Sequence, residues 1–243
     1  MTLRWRICFS VALTAGLWHS PAANAGTVEG KVQLVNSTDP AVRKHKDYSG
    51  VVVWLEPASG ARLPAPTQHA RMIQKNKQFT PHLLVVTVGT TVDFPNMDPI
   101  FHNAFSNFSG QVFDISLYPP GTSKSVQFKR AGLVRVFCNI HPAMSAIILV
   151  LNSAAYAVTD AEGHFLIAGV APGSYSLHIF HERALPQTLD RLTRPVLVSS
   201  QVSALPCITI SESGYIPGPH KNKYGQDYPV SADTPAYSPT PQP

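Results

Sequence analysis

Cys138, His141 and Met144 stand as C-x2-H-x2-M in the segment Phe137-Cys138-Asn139-Ile140-His141-Pro142-Ala143-Met144, between two strand-like runs. One short connection thus offers a thiolate, an imidazole and a thioether. A second imidazole, His102, lies upstream in Asp98-Pro99-Ile100-Phe101-His102-Asn103. Two imidazoles, a thiolate and a weak axial thioether are the donor set that holds copper in a trigonal site and suits it to single-electron exchange. Each residue alone has an ordinary reading: a core cysteine, a hydrogen-bonded loop histidine, a packing methionine. Their joint occurrence, in this order on a strand-rich chain, is what favours the metal. Met97 is a further thioether, but it falls outside the loop that carries Cys138.

The elements that must position these ligands read as strands. Hydrophobic runs are short and rich in Val, Ile, Leu and Phe, as in Val28–Val35, Val51–Leu55, Leu83–Val88, Thr91–Phe94, Ser125–Phe128, Leu133–Phe137 and Ala146–Leu151. Gly, Pro, Asn and Asp separate them, and no window sustains a long helical period. Many short strands with regular turns predict an all-β, sandwich architecture. Segments 34–50 and 56–70 read as surface loops. Asn103 is expected to tie the His102 loop to the strand entering Cys138.

Both ends are expected to stand apart. Arg4 and Arg6 precede an apolar run from Ile7 to Trp18, followed by Ala23-Asn24-Ala25, which reads as a signal peptide over 1–25 cleaved before Gly26. That apolar run is too short for a membrane span, so no transmembrane segment is expected after cleavage. The location that follows is periplasmic or secreted, without a lipid-anchoring cysteine after the leader. Residues 213–243 carry repeated prolines and little apolar content, and are read as a disordered tail. Removing Arg4 and Arg6 lowers the formal charge from +5 to +3, and only 14% of residues are charged. So weak a basic balance, without clustered Lys/Arg and stacking aromatics, argues against a nucleic-acid partner. Cys8 leaves with the leader, and Cys207, in Leu205-Pro206-Cys207-Ile208, is expected to be a buried structural thiol rather than a disulfide partner of Cys138.

A second unit follows Asn152. Asp160-Ala-Glu-Gly163 and Ala171-Pro-Gly-Ser174 are turns between alternating strands. The pattern T-D-x-x-G-x-F-x-I-x-x-V-x-P-G-x-Y-x-L resembles carboxypeptidase regulatory-like modules of transthyretin-like fold, which says little about function. The expected division is a first sandwich over 26–153 with its core at 79–151, then a smaller second one over 154–212. Which sandwich takes residues 26–57 stays open. His178 and His181 form H-x2-H, but on a strand they face opposite ways.

The run from Phe79 to Val150 resembles a cupredoxin. It has F-x-P at Phe79–Pro81, V-x-V-G-x-x-V-x-F within Val85–Phe94, then Asn96-Met97-Asp98, His102-Asn103 and the Cys138–Met144 loop. The loop spacing is like that of amicyanin, and the two-part arrangement resembles plastocyanin-like methylamine-utilisation proteins. The resemblance implies a Greek-key sandwich and a type 1 (blue) copper site held by His102, Cys138, His141 and Met144. It also implies single-electron transfer with a c-type cytochrome or a quinoprotein dehydrogenase. Those relatives usually carry Pro two residues after the ligand Cys, where this chain has Ile140. The retained Ile140 N–H is expected to reach the Cys138 sulfur, beside that of Asn103, and to raise the reduction potential. His141 is expected to be the solvent-facing exit for electrons, with Met97, Pro99, Ile100 and Phe101 completing an apolar docking rim.

Other classes fit less well. A copper carrier or sensor would favour methionine-rich runs, and the chain has only four Met. A multicopper oxidase needs His-x-His clusters and a binuclear centre needs a second loop Cys; neither occurs, so no enzyme is expected. An adhesion or carbohydrate-binding role for 154–212 lacks an evident aromatic platform.

Overall fold

The computed structural model describes residues 25–60, 66–107, 110–216 and 220–228. Nearly all of the expected leader over 1–25 and the last fifteen or so residues of the Pro-rich tail lie outside the described residues. Among the described residues no helix is long and apolar enough to cross a membrane.

The chain begins with β1 (Gly26–Val35), a short helix α1 (Pro40–His45) and β2 (Val52–Pro57). Next come β3 (Ala70–Arg71), β4 (Ile73–Lys75), β5 (Gln78–Thr80), β6 (Leu83–Thr87) and β7 (Thr91–Pro95). They are followed by β8 (Phe105–Ser106), β9 (Phe113–Asp114), β10 (Ser123–Gln127), β11 (Gly132–Phe137) and β12 (Ser145–Leu151). The last group is β13 (Tyr156–Val158), β14 (His164–Val170), β15 (Gly173–Phe180), helix α2 (Pro186–Asp190), β16 (Arg194–Val198), β17 (Val202–Ala204) and β18 (Ile208–Ser211). The all-β expectation holds. Helix α1 appears inside a segment expected to be loop because Asp39 caps it, its carboxylate accepting from the Ala41 N–H at 2.8 Å, and Pro40 presets the first turn.

Four of the five sheets among the described residues form a stack, and β4 and β5 make a separate two-stranded ribbon. The first two, β10-β7-β3 and β6-β12-β11-β8-β9, enclose a core that includes Met72, Phe79, Val92, Phe94, Phe128, Val136 and Ile148. The chain passes back and forth between these two sheets, which is the Greek-key arrangement expected of Phe79–Val150. The other two, β13-β2-β15-β16 and β14-β1-β17 with β18 also on β1, enclose Val28, Val53, Leu55, Ile167, Leu177 and Ile210. Between the sandwiches, Leu149 and Leu151 of β12 meet Val52, with Trp54, Tyr156 and Phe180 around them.

This stacking explains why Ala146–Leu151 is continuously apolar. Ala146, Ile148 and Val150 face one core while Leu149 and Leu151 face the other sandwich, so no residue of the run meets water. Each of its Ile, Leu and Val side chains contributes about 1.5–3 kcal/mol by leaving water. At the rim of the interface, Glu182 reaches His82 at 2.7 Å and Arg135 at 3.7 Å.

Strand pairing corrects the expected boundary of the first sandwich at residue 26. Strand β1 pairs with β14, β17 and β18, and β2 with β13 and β15, so residues 26–57 belong to the second sandwich and enlarge it. Their alternating pattern could serve either core, and only pairing decides which. Gly163 shows how tightly β1 fits: its φ is +84°, and an added Cβ would stand 2.1 Å from the Val32 carbonyl oxygen. Cys207 is exposed rather than buried, because it sits one residue before β18, outside the alternation that points Ile208 and Ile210 inward.

Candidate metal centre

Two connections at one end of the first sandwich carry the candidate ligands. Cys138 follows β11, and Met144 precedes β12; the ladder pair Phe137↔Ser145 closes the loop between them. Inside it, the Cys138 N–H donates to the Met144 carbonyl at 3.2 Å and the Met144 N–H to the His141 carbonyl at 2.9 Å. Loop length and these bonds therefore set where the three side chains point. The second connection, after β7, is tied by Asn96, whose side chain accepts from the Asp98 N–H and donates to the Ile100 carbonyl. His102 is then fixed by backbone bonds in both directions with Tyr118.

The structure brings His102, Cys138 and His141 together. Cys138 Sγ lies 3.8 Å from His102 Nδ1 and 3.5 Å from His141 Nδ1, and the three atoms lie within 4.8 Å of one another. Bonds of about 2.0 Å to nitrogen and about 2.3 Å to sulfur, as for zinc, would separate N and S by about 3.7 Å in a trigonal plane. The donors thus stand where one metal ion would need them. Met144 is fully buried in the apolar cluster that contains Cys138, whereas Met97 is 62% exposed. The set of two imidazoles, thiolate and thioether is chemically a copper site.

One carboxylate prepares this site and was not assigned a role from sequence. Asp98 Oδ2 accepts from His102 Nε2 at 2.7 Å, which keeps the ring proton on Nε2 and turns the Nδ1 lone pair toward Cys138. The carboxylate also accepts from the Asn76 and Lys77 N–H groups, at 2.6 and 2.9 Å. Asn76 and Lys77 form the turn between β4 and β5, both with positive φ, which aims their amides the same way. Burial alone would raise the Asp98 carboxyl, but the bonds from Lys77, His102 and Asn76 more than offset it and hold it below its usual range. Burial, and then the charge of Cys138, push the Tyr118 hydroxyl upward.

Asn103 joins the two connections: its Oδ1 accepts from the Asn139 N–H at 2.6 Å. Ile140 is partly buried against the same core. His141 is more enclosed than expected of a solvent-facing ligand, at only 7% exposed. Met97 and Phe101 are exposed beside the site. His178 stacks on Trp54, while His181 is buried against Glu212, so neither contributes to the centre.

The tail packs against the loop that carries His141. Residues 220–228, expected to be disordered, lie across the Cys138–Met144 loop, with His220 bonded to Pro142 and Tyr228 to Cys138. Composition suggested a solvated tail because Pro and Gly dominate, but its His and Tyr side chains find partners on the loop.

No family model matches the chain. The methylamine utilization protein MauL of Methylorubrum extorquens is 35% identical over 81 residues, covering 33% of this chain and 71% of MauL. The chain belongs to the MauL family. Among solved structures, the purple cupredoxin of Nitrosopumilus maritimus matches 34% of the chain and 99% of its own, with 26% identity and a TM-score of 0.32. Amicyanin from Paracoccus versutus matches 40% and 97%, with 17% identity and a TM-score of 0.33. Membership in the family concerns one third of the chain.

Proposed function

We propose that this MauL-family protein is an exported carrier of single electrons, built on one type 1 copper ion held by His102, Cys138, His141 and Met144. The observation that carries the reading is the buried convergence of the two Nδ1 atoms and Sγ from two separately anchored connections. Copper bound there supplies one-electron chemistry between Cu(I) and Cu(II). The chain's own part is preorganisation. Asp98 holds the His102 proton on Nε2, the Cys138–Met144 loop spaces its three ligands, and the Asn103–Asn139 bond keeps the two connections in register.

The MauL name points to methylamine utilisation, and with it to a quinoprotein dehydrogenase or a c-type cytochrome as redox partner. The leader expected over 1–25 supports a periplasmic place. The second sandwich is proposed to be a carboxypeptidase regulatory-like module. A sugar-binding role finds little support in the groove between Lys31 and Leu166, where the aromatic Phe165 is buried.

The visible absorption and copper EPR spectra of the Cu(II)-loaded protein test the proposal. An intense thiolate-to-copper band with a narrow hyperfine splitting, absent in Cys138→Ala, is the expected result. Copper held only as Cu(I), with no such band, would replace the electron carrier with a copper carrier or sensor.

Ile140 is proposed to donate its N–H to the Cys138 sulfur, drawing density from the thiolate. Ile140→Pro removes that donor, so the reduction potential should fall while the band persists. A potential that stays level or rises in cyclic voltammetry would remove Ile140 from the site.

A further inference from the structure

The segment 220–228 is held together by its own bonds before it meets the rest of the protein. Asn222 Oδ1 accepts from the Tyr224 and Gln226 N–H groups at 2.9 and 3.1 Å, and Lys221 pairs with Asp227 at 3.0 Å. Gly225, with φ +76°, allows the chain to reverse there. The result is a compact turn whose two ends present His220 and Tyr228 on the same side.

Both side chains engage the loop that carries three of the candidate ligands. The Tyr228 hydroxyl donates to the carbonyl of Cys138 itself at 2.8 Å, and His220 Nε2 donates to the Pro142 carbonyl at 2.6 Å. The His220 ring stacks on Phe137 at 4.0 Å and meets Tyr228 edge-on at 5.2 Å. Lys223 completes a closed circuit. Its N–H donates to Asn139 Oδ1 at 3.0 Å and its ammonium to Asp114 at 2.7 Å, while Asp114 accepts from Asn103 at 3.5 Å and Asn103 accepts from Asn139. The residues next to His102 and Cys138 are thereby tied to each other and to the tail.

We propose that residues 220–228 are a strap belonging to the metal centre, in which Tyr228 and His220 position the Cys138–Met144 loop and cover the Cys138 and Pro142 end of it. The strap must open before metal or a bulky reagent reaches Cys138, and electrons reach a partner across the strap rather than from a bare imidazole edge. The part concerning electrons rests on the copper reading above; the part concerning access to Cys138 does not.

The test uses the metal-free protein over residues 26–243, without Cys8, in a Cys207→Ser background, so that Cys138 is its one thiol. Its rate of labelling by an aromatic disulfide is compared with that of Tyr228→Phe/His220→Ala and of a chain ending at Ile216. Labelling should rise about tenfold in the double variant, equivalent to about 1.4 kcal/mol of opening free energy, with the global denaturation midpoint unchanged. After copper loading, the same variant should keep the visible band, lose metal faster to a Cu(I) chelator and show a lower potential as water enters. Equal labelling rates in all three proteins would overturn the strap, as would a rise matched by loss of global stability. A wild-type protein without the visible band would overturn the copper reading, while the labelling rates would still decide the strap.

Discussion

Asp98→Asn should weaken copper binding by about 10–100-fold, the usual cost of losing a partner behind a ligating histidine. The carboxylate accepts three bonds, from His102 Nε2 and from the Asn76 and Lys77 amides. An amide has one oxygen for those three donors, and its NH2 would face at least one of them. If that NH2 turns to His102, it favours the tautomer with the proton on Nδ1, where it blocks metal ligation. The surviving sites should have a higher reduction potential, because a neutral partner makes the imidazole a poorer donor to Cu(II). Stability of the metal-free protein should fall by about 1–3 kcal/mol as buried donors lose their acceptor. Competition with a chelator measures affinity, and nitrogen NMR of His102 reads the tautomer. Unchanged affinity with the Nε2–H tautomer retained would mean that backbone bonds alone orient the ring.

Glu212→Ala should destabilise the protein by roughly 3 kcal/mol, the range found when one member of a buried ion pair is removed. The Glu212 side chain is only 2% exposed and accepts from His181 Nε2 at 2.8 Å, Arg183 at 3.1 Å and the Ser37 hydroxyl at 2.5 Å. Arg183 also reaches Asp39 at 3.1 Å, so the cluster pins the end of β18 to the end of β15 and to helix α1. Without the carboxylate, Arg183 keeps one counterion and His181 loses the acceptor for its N–H.

The pH dependence of this cluster has a definite sign. Burial would raise the Glu212 carboxyl, but Arg183, Ser37 and His181 together hold it below its ordinary value of 4.5. Burial lowers His181 from 6.5, with Arg183 adding to it against the pull of Glu212. Both groups have depressed folded pKa values, so the unfolded chain takes up protons first and both contributions are lost on acidification. The His181 contribution is complete above 6.5 and declines below it; that of Glu212 is complete above 4.5 and declines below that value. Removing Glu212 leaves burial and Arg183 to depress His181 further, so it is below pH 4.5 that denaturation midpoints should fall less steeply in Glu212→Ala than in the wild type. Parallel slopes would show that the cluster does not titrate with unfolding.

The candidate ligands were legible because their signal is local. In C-x2-H-x2-M one loop length sets three side chains, and the strands on either side declare themselves by their apolar runs. The turn at Asp160–Gly163 was legible for the same reason. Asp98 stood in the sequence beside the ligand motif, yet its role depends on amides from a turn more than twenty residues earlier. Glu212 and His181 meet across thirty-one residues, with no spacing to announce them.

By itself the sequence determined the all-β class, the turns, the continuous apolar strand at the centre of the stack and the donor set for a metal. These follow from alternation, turn chemistry and ligand type, which act between neighbours in the chain. Tertiary structure alone decided that β1 and β2 complete the second sandwich, that a carboxylate stands behind His102, and that the tail folds back over Cys138. A strand edge, a carboxylate or a carbonyl accepts whichever donor the fold brings to it, and chain order does not say which that will be.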